Sequence, residues 1–266
     1  MIARTKVQQA FHGLRAIAIA VLFAAQGAWA DTIELNTWWG GHGSASISLS
    51  SLGVNYNNGS VIGGSGYAAS GGAGGFRTYN LTVDPVRRDS FESWCVDIFH
   101  NFSFAVQSTD TRQDASAFFG ATLGAAAGAR IADDLGRLAT NHYADVTTTV
   151  SNTTTDRRAV AFQLAVWEIV NENAGFYGLN TGNFQVTSAT SGAVTLAATW
   201  LGELAGTTNG YSVDIWAVSN GARGQGAQDV AIFAPIPEPE IYALLATGLG
   251  VMGFVARRRR QQGAAV

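Results

Sequence analysis

The chain of 266 residues holds a single cysteine, Cys95. No internal disulfide can form, so a packed core must hold the fold together. Charge is sparse as well, at 13% of residues, and the formal net charge is −3. Many of the basic residues sit near the two ends (Arg4, Lys6 and Arg15; Arg257 to Arg260), which leaves the body between them more acidic. That excludes the basic surface that nucleic-acid binding requires. Metal-ligand spacing is missing too. His42, His100 and His142 stand apart from one another and from Cys95, so each reads as structural, and neither a metal nor a cofactor is expected. There is no phosphate-binding glycine loop and no nucleophile elbow. The chain does not read as an enzyme.

Present in quantity are glycine, at 32 residues, and serine, threonine and asparagine, a composition that suits an extracellular β-rich surface protein. Residues 2–30 have the form of a secretory leader. A basic start is followed by the apolar run Ala16 to Ala25 and then by "AWA", Ala28-Trp29-Ala30. This is the small-x-small pattern cut by signal peptidase. Cleavage after Ala30 would make Asp31 the first residue of an exported chain.

At the other end, Pro237-Glu238-Pro239 precedes an uncharged stretch, Ile241 to Ala256, and then Arg257-Arg258-Arg259-Arg260. The stretch is near the lower length limit for a membrane span. The arginines would hold that end on the cytoplasmic side. The segment "PIPEPEIYALLATGLGVMGFVARRRR" resembles a PEP-CTERM sorting signal, with motif, helix and arginine cluster in that family's order. The resemblance implies a Gram-negative source and recognition by an exosortase. The protein would be anchored transiently in the inner membrane and then released to the outer surface or the extracellular (biofilm) matrix.

The body, 31–234, is expected to be mainly β, a sandwich or barrel, with a helical part at about 113–206 and a sorting segment at 235–266. Ser44 to Ser50 and Phe76 to Val83 alternate like half-buried strands. Gly63 to Gly75 reads as a flexible loop by composition, and Trp38 to Gly43, "WWGGHG", as a strand end packing two large rings. Phe91 to Phe104 reads as one strand, with Trp94, Val96 and Ile98 on one face and Cys95, Asp97 and Phe99 on the other. Helices are expected around Gly128 to Asn141, Arg157 to Asn173 and Ser191 to Gly206. The closing strands are Tyr211 to Ser219 and Asp229 to Pro235.

The middle helix raises the functional question. With Asp156 as N-cap, a wheel of 3.6 residues per turn gathers Arg157, Arg158, Glu168 and Glu172 into a narrow polar strip. Gln163 then lies in the middle of the apolar face, among Ala159, Val166, Trp167 and Val170. An unpartnered buried amide costs on the order of 1–3 kcal/mol. It can be satisfied by backbone or by water. It can also be consumed covalently, by a thiol that expels ammonia to form a thioester, an activated acyl group open to amines.

"SWCVDIF" with "AFQLAVWEIV" resembles the paired motifs of surface thioester domains, a Cys-x-Asp/Glu-like strand and a Thr-Gln-x-Ala-Ile-Trp helix. The resemblance implies that Cys95 is the thioester sulfur and Gln163 the acyl donor. Trp94, Asp97, Phe162, Ala165 and Trp167 would form the surrounding pocket. Phe162 stands where that family has threonine, and Val166 where it has isoleucine. Asp97 and Glu168 read as fold residues, a cap or a salt bridge.

Three functions follow. The first is a covalent surface adhesin that captures surface amines. The second is a non-covalent structural or polysaccharide-binding matrix protein using Trp38 and Trp39 on exopolysaccharide. The third, a Cys95/His100 hydrolase, is disfavoured, because on one continuous strand the two residues would stand about 16 Å apart.

Overall fold

The computed structural model of the chain describes residues 30–49, 53–54, 61–62, 67–172, 176–219 and 226–237, and in the last stretch 244–245, 247–249 and 251–252. The organising element is β1 (Ala30–Leu49), 20 residues long. One edge pairs over nearly its whole length with β4 (Tyr67–Asn80). The other edge pairs first with β6 (Val106–Asp114), through Ala30–Leu35, and later with β7 (Phe184–Ala189), through Ala45–Leu49. Two register shifts, between Leu35 and Thr37 and between Trp38 and His42, bend the strand so that it can serve both partners. With β5 (Phe91–Cys95), β8 (Tyr211–Val218) and β9 (Val230–Pro235), the order is β4-β5-β9-β8-β6-β1-β7, and β4 pairs back onto β1. Six antiparallel strands therefore close into a ring, with β7 added on the second half of β1. Closure removes most exposed edges, which are sites of unwanted pairing. A separate ribbon joins β2 (Gly53–Val54) to β3 (Val61–Ile62).

The glycine-rich stretch expected to be a loop is strand from Tyr67 onward. Its small residues are what the pairing requires. Trp38 lies across Gly72, where a Cβ would fall 2.6 Å from the indole, and Gly74 adopts φ +153°. Trp38 is enclosed by rings: His42 stacks at 4.9 Å and Phe76 at 5.2 Å, with Phe102 and Phe104 edge-on. An aromatic covering a strand glycine restores the contact that the missing side chain would make.

Helix is about as abundant as strand, so the chain is less β-dominated than expected. Between β6 and β8 come α1 (Ala115–Leu123), α2 (Ala125–Val146), α3 (Thr153–Asn171), β7, and α4 (Ala193–Glu203) with a closing 3-10 turn. The α3 cap is Asn152, not Asp156. The Asn152 side chain accepts from Thr154 and Thr155 N–H, and Thr155 returns the bond as a capping box. Asp156 is used elsewhere, accepting the His42 N–H at 3.2 Å and the Ser151 hydroxyl at 2.9 Å, which ties the helix start to β1.

No polar strip runs the length of α3. Every residue from Ala159 to Asn171 is buried, because the helix packs against β1, β4, β5 and β7 and also against α2 and α4. A helix enclosed on all sides is apolar all round. Glu168, expected on the strip, is fully buried. Each of Phe162, Leu164 and Ile169, also fully buried, contributes roughly 1.5–3 kcal/mol, which offsets enclosing the three polar groups Gln163, Glu168 and Asn171.

Among the described residues no helix is long and apolar enough to cross a membrane. The expected span Ile241 to Ala256 lies largely outside them, and its described residues are helical and exposed.

Candidate functional site

Cys95 is the last residue of β5. Its neighbour β4 stops pairing one residue short, at Gly75 opposite Trp94, while β9 continues to Val230 opposite Cys95. Cys95 therefore has a strand on one side and a vacancy on the other. The Gln163 carboxamide fills that vacancy. Its Oε1 accepts the Cys95 N–H at 3.2 Å, and its Nε2 donates to the Cys95 carbonyl at 2.7 Å. A carboxamide carries the same donor and acceptor as a peptide group, so the side chain makes the pair of bonds a neighbouring strand would make. This answers the question posed by an amide on an apolar helix face. Gln163 is 1% exposed and Cys95 3%, and 68 residues of chain separate them.

Beyond Cys95 the strand ends, contrary to the expectation of one strand to Phe104. Val96 still donates to the Asp229 carbonyl, but residues 98–100 bend. Asp97 holds the bend. Its Oδ1 accepts the Phe99 N–H at 2.9 Å, and its Oδ2 meets His100 Nδ1 at 2.6 Å. From outside, Tyr67 donates its hydroxyl to the Ile98 carbonyl at 2.6 Å and Gln228 donates to the His100 carbonyl. The straight-strand spacing that separated Cys95 from His100 therefore does not apply. Both residues face one cavity of about 280 Å³.

That cavity is walled by the small residues of β4 (Ala69 to Gly72 and Gly74), by Cys95, Gln163 and Trp167, and by the bend from Asp97 to Phe102. Of the residues expected around the pair, Asp97 and Trp167 line it. Trp94, Phe162 and Ala165 do not. Strand alternation carries Trp94 to the other face of β5, where it packs on Phe162 at 4.6 Å. Ala165, two residues from Gln163, points elsewhere around α3.

The thiol donates to the Asp97 carbonyl at 3.1 Å. Burial pushes its pKa far up, and the negative charge of Asp97 adds to this; the Trp167 indole N–H beside the sulfur offsets it only in part. A neutral, enclosed thiol is protected from oxidation and alkylation. The neighbouring Tyr67 phenol is raised as well, by burial and then by Asp97.

Sequence reading missed the β4 wall, Gln228 and the Asp97–His100 bend. The density of glycine opposite paired tryptophans was the available signal for the wall. Nothing marked Gln228. Of the sorting and leader residues, Ala30 heads β1 and Pro237 follows β9, exposed. Ala28, Glu238, Pro239, Arg257, Arg258, Arg259 and Arg260 lie outside the described residues. No three His, Cys, Asp or Glu side chains among the described residues are grouped to hold a metal. Comparison with protein-family models, curated proteins and solved structures finds no match.

Proposed function

We propose that this is an exported surface or matrix protein, routed by its C-terminal segment to an exosortase-type enzyme, whose body carries a Cys95–Gln163 thioester for covalent capture of amines. The observation that supports it is the seating of the Gln163 carboxamide on the backbone of Cys95, with both residues on the wall of one cavity. In the forming step the Cys95 sulfur bonds to Gln163 Cδ, the Cδ–Nε2 bond breaks, and the thiol proton leaves with the nitrogen as ammonia. In the capture step a primary amine attacks the same carbon. An amide forms, the C–S bond breaks, and the thiol regains a proton from the amine. Pairing to the Cys95 peptide keeps the carboxamide beside the residue that would supply the nucleophile, and proximity of this kind favours intramolecular reaction.

Intact mass of the exported chain, with and without methylamine, tests this. A thioester lowers the mass by about 17 Da, and methylamine then adds covalently. A full mass with a thiol that alkylates only after unfolding would leave Gln163 as a buried amide. That outcome belongs to the second reading, a non-covalent matrix component. One observation favours it: the two hydrogen bonds already satisfy the carboxamide. Its sugar platform would not be Trp38, whose ring is packed by His42, Phe76, Phe102 and Phe104. Nor would it be Trp39, whose ring is covered by the Arg77 guanidinium at 5.5 Å.

A further inference from the structure

The whole chain contains one lysine, Lys6, and it lies in the leader. After cleavage at Ala30 no side-chain amine remains, and every permanent side-chain cation of the body is arginine. The arginine fork is needed where Arg87 grips Glu34 through two nitrogens, at 2.9 and 2.6 Å. It is not needed at Arg158, whose ion pair with Asp145 is at 3.8 Å; an ammonium would serve equally there. Ion pairing alone therefore does not require arginine at every position.

The two cations differ as nucleophiles. A guanidinium stays protonated at any physiological pH, whereas a lysine amine, with a pKa near ~10.4, is free for a small fraction of the time. Beside an activated acyl group that fraction is enough. Well-aligned groups react at effective concentrations of up to ~10⁵–10⁸ M, so a lysine on the cavity rim would consume the bond before any partner arrived. The one amine left, the new α-amino group at Asp31, heads β1, whereas the cavity is lined by Ala45 and Ile47 far along the same strand.

We infer that the mature body is kept free of lysine to preserve its own acyl bond, and that the captured side-chain amine is therefore carried by a different molecule, a second copy of this chain offering only its α-amino group. This rests on the thioester proposed above, and the test separates the two. Asn101 and Ser70 are both exposed and both line the cavity. Asn101→Lys and Ser70→Lys place an amine there, and Asn101→Arg places the same charge without one.

Each exported chain is assayed by intact mass, by thiol alkylation after unfolding, and by methylamine uptake. The expected wild type is about 17 Da light, has a blocked thiol and takes up methylamine; Asn101→Arg, which alters the same cavity wall without adding an amine, is expected to keep the blocked thiol. At least one lysine variant is expected to be equally light, because transfer to its own amine loses nothing further, but to show a free thiol and at least a tenfold loss of methylamine uptake. Lysine variants that both keep a blocked thiol and normal uptake would overturn the inference while leaving the thioester standing. A wild type at full mass would overturn the thioester and the inference together.

Discussion

Strand β5 buries two polar arrangements three residues apart, and they are solved in opposite ways. At its end, the Cys95 backbone and the Gln163 carboxamide satisfy each other. Near its start, Glu92 is 6% exposed, and neither carboxyl oxygen completes a hydrogen bond. Arg77, directly opposite on β4, turns its guanidinium over Trp39 instead. Burial lifts the Glu92 pKa to about 9, and the neighbouring Tyr143 hydroxyl offsets this only in part. A neutral group matched to a peptide is inexpensive to bury, whereas a weakly partnered acid is tolerated only by keeping its proton.

The largest effect should come from unmatching the first arrangement. Gln163→Leu keeps the volume but leaves the Cys95 N–H and carbonyl buried without partners, a loss of about 2–5 kcal/mol in urea unfolding, together with all methylamine uptake. Glu92→Gln tests the second arrangement in the reverse direction. A carboxyl held at about 9 when folded, against 4.5 when unfolded, stabilises fully below the lower value and loses that contribution as pH rises through the higher one. The wild type should therefore weaken from about pH 4.5 to about pH 9. The variant should gain on the order of 1–3 kcal/mol at pH 8 and show a flatter profile in thermal melts at a series of pH values. Glu168, lifted to about 8 by burial, leaves a residual slope of the same sign in both proteins. The smallest effect sharpens the comparison most. Cys95→Ala keeps both bonds to Gln163, since they run to the backbone. It should cost only ~1 kcal/mol while abolishing amine uptake, so stability and chemistry separate at one position.

Much of this was legible in the chain. Alternation at Ser44 to Ser50, the apolar run of α3 and the odd position of Gln163 are local patterns, and local patterns survive folding. What was hidden depends on partners distant in sequence. The glycines of β4 read as loop because their reason for being small, the Trp38 ring, lies more than thirty residues away. Glu168 read as solvent-facing because a helical wheel has two sides only when water covers one of them, and α3 is covered on both. The end of β5 at Cys95 was not visible because Asp97 fits a strand as well as it caps a bend.

The position of Val230 opposite Cys95 gives β9 a mechanical meaning. The strand runs from beside Cys95 to Pro235 in six residues. Under the proposed function, a load carried between an amine captured at Gln163 and a tether beyond Pro235 would run lengthwise along β9. The ladder joining β9 to β8, from Tyr211–Pro235 to Trp216–Val230, would bear that load in shear, all rungs at once, instead of opening like a zip.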